Sequence, residues 1–142
     1  MEVPEVRRRL RAAIERARQD AAARRERSDA AAHEFERFLN ERAVPVLQVL
    51  AAALVAEGRR FKVFTPAGSV RLASDHSKDD FVELSLDTSQ DPPIVVGKVS
   101  RGRGRRQVAF ERPIRDGVAV ADLTDEDVLD FVLSAIAPYL ER

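Results

Sequence analysis

Residues 6–40 contain neither glycine nor proline, and alanine, arginine and glutamate dominate the stretch. All three are strong helix formers, so the segment is expected to form a single long helix. Along it Leu10, Ile14, Ala17, Ala21, Ala31, Phe35 and Phe38 fall on alternating three- and four-residue steps, with Arg24 and Ser28 interrupting the seam in the middle. A helix with so narrow an apolar stripe is marginal on its own in water and gains stability by packing. The seam is therefore expected to lie on the globular part of the chain or on a second copy. In the second case it is a coiled-coil-like dimer seam, built largely of small alanines that permit close approach.

Pro45 cannot donate to a helical ladder, which places a kink or break at residues 43–45. The following segment, 46–55, is apolar nearly all round and ends before Gly58, a suitable left-handed cap. It is the expected core helix. The apolar run at 43–56 falls well short of the roughly 20 residues that span a bilayer, so no membrane partner is expected. The N-terminal residues lack the apolar stretch of a secretory signal, and the chain has no cysteine. Disulfide frameworks, thiolate metal sites and thiol nucleophiles are excluded, and a cytoplasmic location is the expectation.

Beyond Gly58 the pattern changes from helical to alternating. Strands are predicted at 60–65, 69–74, 81–86, 94–100 and 106–112, the first two joined by a turn at Pro66-Ala67-Gly68. Phe61, Val63, Val70, Leu72, Val82, Leu84, Val108 and Phe110 are expected to face the core, with Lys62, Arg71, Glu83, Ser85 and Asp87 on the opposite face. The fourth strand supplies Ile94, Val95, Val96 and Val99 to both faces. Residues 113–123 read as a loop, with room for a short strand at 118–121. Thr124 followed by Asp125, Glu126 and Asp127 is a strong helix start. Val128, Leu129, Val132, Leu133, Ile136 and Leu140 give that helix its buried face, and Pro138 is expected to bend or end it. The fold class is thus α+β: a long N-terminal helix, a kinked core helix, an antiparallel sheet of four or five strands and a C-terminal helix on the same sheet face. Residues 1–42 form the helical arm and 43–142 a two-layer domain.

The zero net charge is a cancellation. Residues 59–115 carry 12 basic against 7 acidic groups, whereas 116–142 carry 7 acids against Arg142 alone. The basic middle culminates in Lys98, Arg101, Arg103, Arg105 and Arg106, a run with no acid and with glycines that permit a hairpin tip. Such a cluster binds an anion or an acidic partner, and arginine forks fit phosphates. No nucleic-acid motif accompanies it, tryptophan is absent and Tyr139 is the only tyrosine.

Constellations for catalysis are thin. Asp75, His76 and Ser77 are suitable residue types, but triads are assembled from converging elements rather than from neighbours in sequence, and a solvated turn is the expected role. Asp75, Asp79 and Asp80 match no calcium-loop spacing. Glu83 and Asp87, four residues apart on a strand, are separated by about 13 Å, too far for a catalytic pair. No cofactor and no metal is called for. The reading that follows is a non-enzymatic interaction or adaptor module, homodimeric through its long helix, with a protein partner. The alternative is nucleic-acid binding through the arginine hairpin at 98–106, and a ligand or substrate site around Arg71, Glu83 and Asp87 ranks third.

Overall fold

In an uninterrupted α-helix the ring of Pro45 would strike the carbonyl of residue 41. The computed structural model, which describes residues 1–141, shows how the chain avoids this. Helix α1 (Val3–Phe38) passes into a π turn (Leu39–Ala43), in which the amide of Val44 reaches the carbonyl of Leu39, and then into α2 (Val44–Ala56). The extra residue in this one turn relieves the conflict, so the helix is re-phased and not broken. It runs for 54 residues from Val3 to Ala56, about 80 Å. The end follows the anticipated chemistry: Gly58 has φ +81°, its amide donates to Val55 O at 2.9 Å, and the Arg59 amide donates to Leu54 O at 2.8 Å.

Five strands, β1 (Phe61–Phe64), β2 (Ser69–Ser74), β3 (Phe81–Asp87), β4 (Ile94–Arg103) and β5 (Arg106–Pro113), form an antiparallel meander in sequence order. Cross-strand partners Val63 and Leu72, Leu72 and Val82, and Val82 and Val99 put one apolar face under the helices. Helix α2 buries Leu47, Leu50, Ala51 and Leu54 against that face, mainly over β1. A short 3-10 turn (Val120–Asp122) occupies the place where a strand was predicted at 118–121. Helix α3 (Asp125–Leu140) then returns over the same face and buries Val128, Phe131, Val132, Ala135, Ile136 and Tyr139. Its start is a capping box. The Asp127 amide donates to Thr124 Oγ1 at 3.2 Å, and the Thr124 amide donates to Asp127 Oδ2 at 2.9 Å. The α+β architecture is as expected, and Pro138 lies within the helix rather than ending it.

The extent of burial differs from expectation at several residues. Helix α2 is apolar nearly all round but packs on one flank only, leaving Val49 71% exposed. The continuous helix Val3–Ala56 contains a window apolar and long enough, by length and composition, to cross a bilayer, and the buried flank of α2 is part of the domain core. Leu133 faces outward on α3. Val108 and Phe110 share the inner face in register with Arg101 and Val99, yet both are exposed, because the helices stop short of β5. In β4, by contrast, Val95, Val96 and Val99 are all buried, which explains the apolar content of both its faces.

Gly97 sits where α3 comes closest to the sheet. A Cβ there would lie 2.2 Å from Phe131 Cε1, and Phe131 is held from another side by the Arg112 guanidinium 5.0 Å from the ring centroid. The Gly97→Ala substitution is therefore expected to destabilise the fold by about 1–3 kcal/mol in urea unfolding. Phe131→Leu in the same chain is expected to recover part of that loss, since the two positions share one volume.

Candidate functional site

Three surfaces collect the residues singled out from the sequence. The first is the helical arm. Phe35 and Phe38, stacked with ring centroids 6.0 Å apart, are buried in the protein's own core, and Ala31 lies half-buried against it. These three positions of the expected dimer seam are occupied within the chain. Docking is reinforced by a contact that sequence patterning does not reveal. Arg27 Nε and Nη2 donate to the two Asp91 oxygens at 2.9 and 2.8 Å, with Arg24 3.6 Å from the same carboxylate. These hydrogen bonds hold the Asp91 carboxyl below the usual range and raise Arg27. Beside this clamp lies an apolar trough of about 560 Å³ between Ala30, Ala31 and Glu34 of α1 and the Pro92, Pro93 and Val118 side.

Upstream of the clamp the helix leaves the domain. At positions 6–22 every residue is exposed. The remaining seam residues Leu10, Ile14, Ala17 and Ala21 continue in one stripe through Val6 to Val3, because residues 18 apart superpose after five helical turns. Leu10 is 57% and Ile14 43% exposed. Glu5, paired with Arg8 at 2.6 Å and Arg9 at 3.0 Å, flanks the stripe.

The second surface is the outer face of the sheet. Register places Arg71, Glu83, Lys98 and Glu111 side by side on four adjacent strands, an alternating row of charge. Arg71 Nε donates to Glu83 Oε1 at 3.0 Å, and its guanidinium lies 3.8 Å from the centroid of the buried Phe81 ring. Lys62 stands apart on β1, 3.8 Å from Asp75. Asp87 ends β3 and accepts from the Ser89 hydroxyl at 2.6 Å and amide at 3.0 Å; these bonds lower its pKa. It caps a turn and does not join Arg71 and Glu83. The nearby cleft of about 510 Å³ includes Arg59, Arg60, Asp75, His76, Asp80 and Tyr139. In and beside it side chains accept backbone amides: Ser74 Oγ accepts the His76 amide at 3.0 Å, Ser77 Oγ the Asp79 amide at 3.2 Å, and Asp80 Oδ1 the Gly102 amide at 2.8 Å, while Arg59 Nη2 donates to Leu140 O at 2.9 Å. Among the described residues no group of three or more His, Asp or Glu is arranged to hold a metal ion.

The third surface is the β4–β5 hairpin, whose tip is Gly104-Arg105 between the facing residues Arg103 and Arg106. Here the sequence cluster divides. Arg101, Arg103 and Arg106 project from the inner face and Arg105 occupies the turn, whereas Lys98 belongs to the charge row on the outer face. The four arginines make no ion pair with a described residue. The acidic start of α3 is committed elsewhere: Asp125 pairs with Arg42 at 3.4 Å and Asp127 with Arg115 at 3.2 Å. No family model matches this chain, and neither a curated protein nor a solved structure shows significant similarity to it.

The Arg27 clamp has a pH signature. Because the folded Asp91 pKa is lowered, its stabilisation is present above the ordinary carboxylate pKa near about 4 and is lost as pH falls through the lowered folded value. Arg27→Ala is expected to speed amide exchange at positions 23–31 at neutral pH relative to the unsubstituted protein. Compared at equal pH, that difference is expected to vanish in strong acid.

Proposed function

We propose that the protein is a non-enzymatic interaction module that forms a homodimer through its projecting helix and presents its domain to a protein partner. The observation that carries this reading is the exposed stripe Val3, Val6, Leu10, Ile14, Ala17 and Ala21 on a helix that has already left its own core. A helix has no intramolecular means of covering such a stripe once it projects beyond the domain. Packing it against an identical stripe removes apolar surface from both copies, at about 25 cal/mol per Å². Alanine at positions 17 and 21 lets the two backbones come close. The engagement of Glu83 by Arg71, and of the loop serines and Asp80 by backbone amides, supports a structural role for groups otherwise suited to catalysis. A cytoplasmic location belongs to the same proposal, supported by the packing of the apolar α2 flank into the domain core.

Light scattering coupled to gel filtration tests it. The unsubstituted protein is expected to run as a dimer, and Leu10→Asp with Ile14→Asp as a monomer that keeps a cooperative urea transition, with a midpoint no longer dependent on protein concentration. A monomeric mass for the unsubstituted protein at its highest soluble concentration overturns the reading.

A further inference from the structure

The β5 side of the hairpin carries a combination that the helical arm does not explain. On the inner face, which no helix covers at this edge, Arg101, Arg103, Arg106 and Arg112 share one surface with the Phe110 ring, which is 48% exposed. Successive rows along a strand are about 7 Å apart, so the four guanidiniums and the ring occupy a strip of about 20 Å. Arg103 and Arg106 face each other directly across the ladder, a like-charge pairing that costs stability unless an anion lies between them. None of the four has a carboxylate partner among the described residues. The two acids at the hairpin are both engaged at Gly102: Asp79 lies against it on the opposite face, and Asp80 Oδ1 accepts its amide at 2.8 Å. Arg112 is further placed by its approach to two rings, with its guanidinium 6.0 Å from the Phe110 centroid and 5.0 Å from that of Phe131.

We infer that this strip binds single-stranded nucleic acid, with a base stacked on Phe110 and the flanking phosphates held by Arg101, Arg103, Arg106 and Arg112. An exposed ring set between forked cations serves a polymer that alternates flat bases with phosphates. An acidic peptide uses the charges and has no need of the ring. A duplex keeps its bases stacked internally and likewise leaves Phe110 unused. The strip is read without sequence preference, since every base has a stacking face, and it operates whether or not the arms pair.

The test is fluorescence anisotropy of a labelled oligo-dT and oligo-U with the full chain, across a salt series, with an unlabelled duplex and poly-glutamate as competitors. The single strands are expected to bind, with affinity falling linearly in log salt by about 0.7 per phosphate engaged. Arg103→Ala with Arg106→Ala is expected to flatten that slope by about 1.4. Phe110→Ala is expected to weaken binding about tenfold while leaving the slope unchanged, as loss of one stacked base does. Arg105→Ala, in the turn and outside the ladder, supplies a variant that leaves the strand pairs intact and is expected to change neither quantity. Repeating the titration in the Leu10→Asp, Ile14→Asp chain separates this site from self-association. No binding at low salt overturns the inference. So does a Phe110→Ala affinity equal to that of the unsubstituted protein, or competition by poly-glutamate as effective as that by the single strands.

Discussion

Two helices cannot cover five strands. An α-helix with its side chains is about 10 Å across and neighbouring strands are about 4.8 Å apart, so a pair of helices lying side by side spans roughly four strands. The protein follows this arithmetic: α2 lies mainly over β1, α3 reaches β3 and sets Phe131 on Gly97 of β4, and β5 is left bare. The exposure of Val108 and Phe110 follows from this mismatch, although their alternation is as regular as that of Val70 and Leu72. The inner-face arginines are left uncovered by the same mismatch, whereas β5 is an edge because the strand order ends with it. The surfaces available for binding are therefore largely what remains after the core has been closed.

Much of the architecture was legible because it depends on neighbours in sequence. Thr124 and Asp127 specify their capping box within four residues, Gly58 ends α2, and the period-two pattern of β2 matches its observed limits of 69–74. Tertiary choices were not legible. Arg27 and Asp91 are separated by 64 positions, and nothing in the composition of either segment selects that pairing. Phe131 and Tyr139 were overlooked as core residues. Their burial depends on a glycine opposite the first and on backbone carbonyls of Phe81 and Ser100 within reach of the second's hydroxyl. The arginine run was visible as a cluster, but which of its members share a face depends on strand register, which separates Lys98 from Arg101, Arg103 and Arg106.

The outer face of the sheet shows how a polar surface satisfies itself. Along the row Arg71, Glu83, Lys98 and Glu111 each charge has an opposite neighbour across the ladder, and the Arg71 guanidinium also covers the ring of Phe81. Phe81 is consequently buried on the face without helices. The hairpin is the reverse case, with like charges opposed and no acid among them. This contrast between a neutralised row and a tip of opposed like charges lies on strands that are continuous with one another.

The π turn ahead of Pro45 also sets an angle. Each residue of an α-helix advances the chain by about 100° around the axis, so the one additional residue housed at Leu39–Ala43 determines which way everything upstream points relative to α2. With it, Phe35 and Phe38 turn toward the core, and the stripe from Val3 to Ala21 leaves at a fixed bearing and reaches about 30 Å beyond the clamp. The helix thus works as a shaft keyed at one end. A single proline in its C-terminal quarter governs the heading of an apolar surface more than twenty residues away, and gaining or losing one residue there would swing that surface to another side of the molecule without altering any side chain on it.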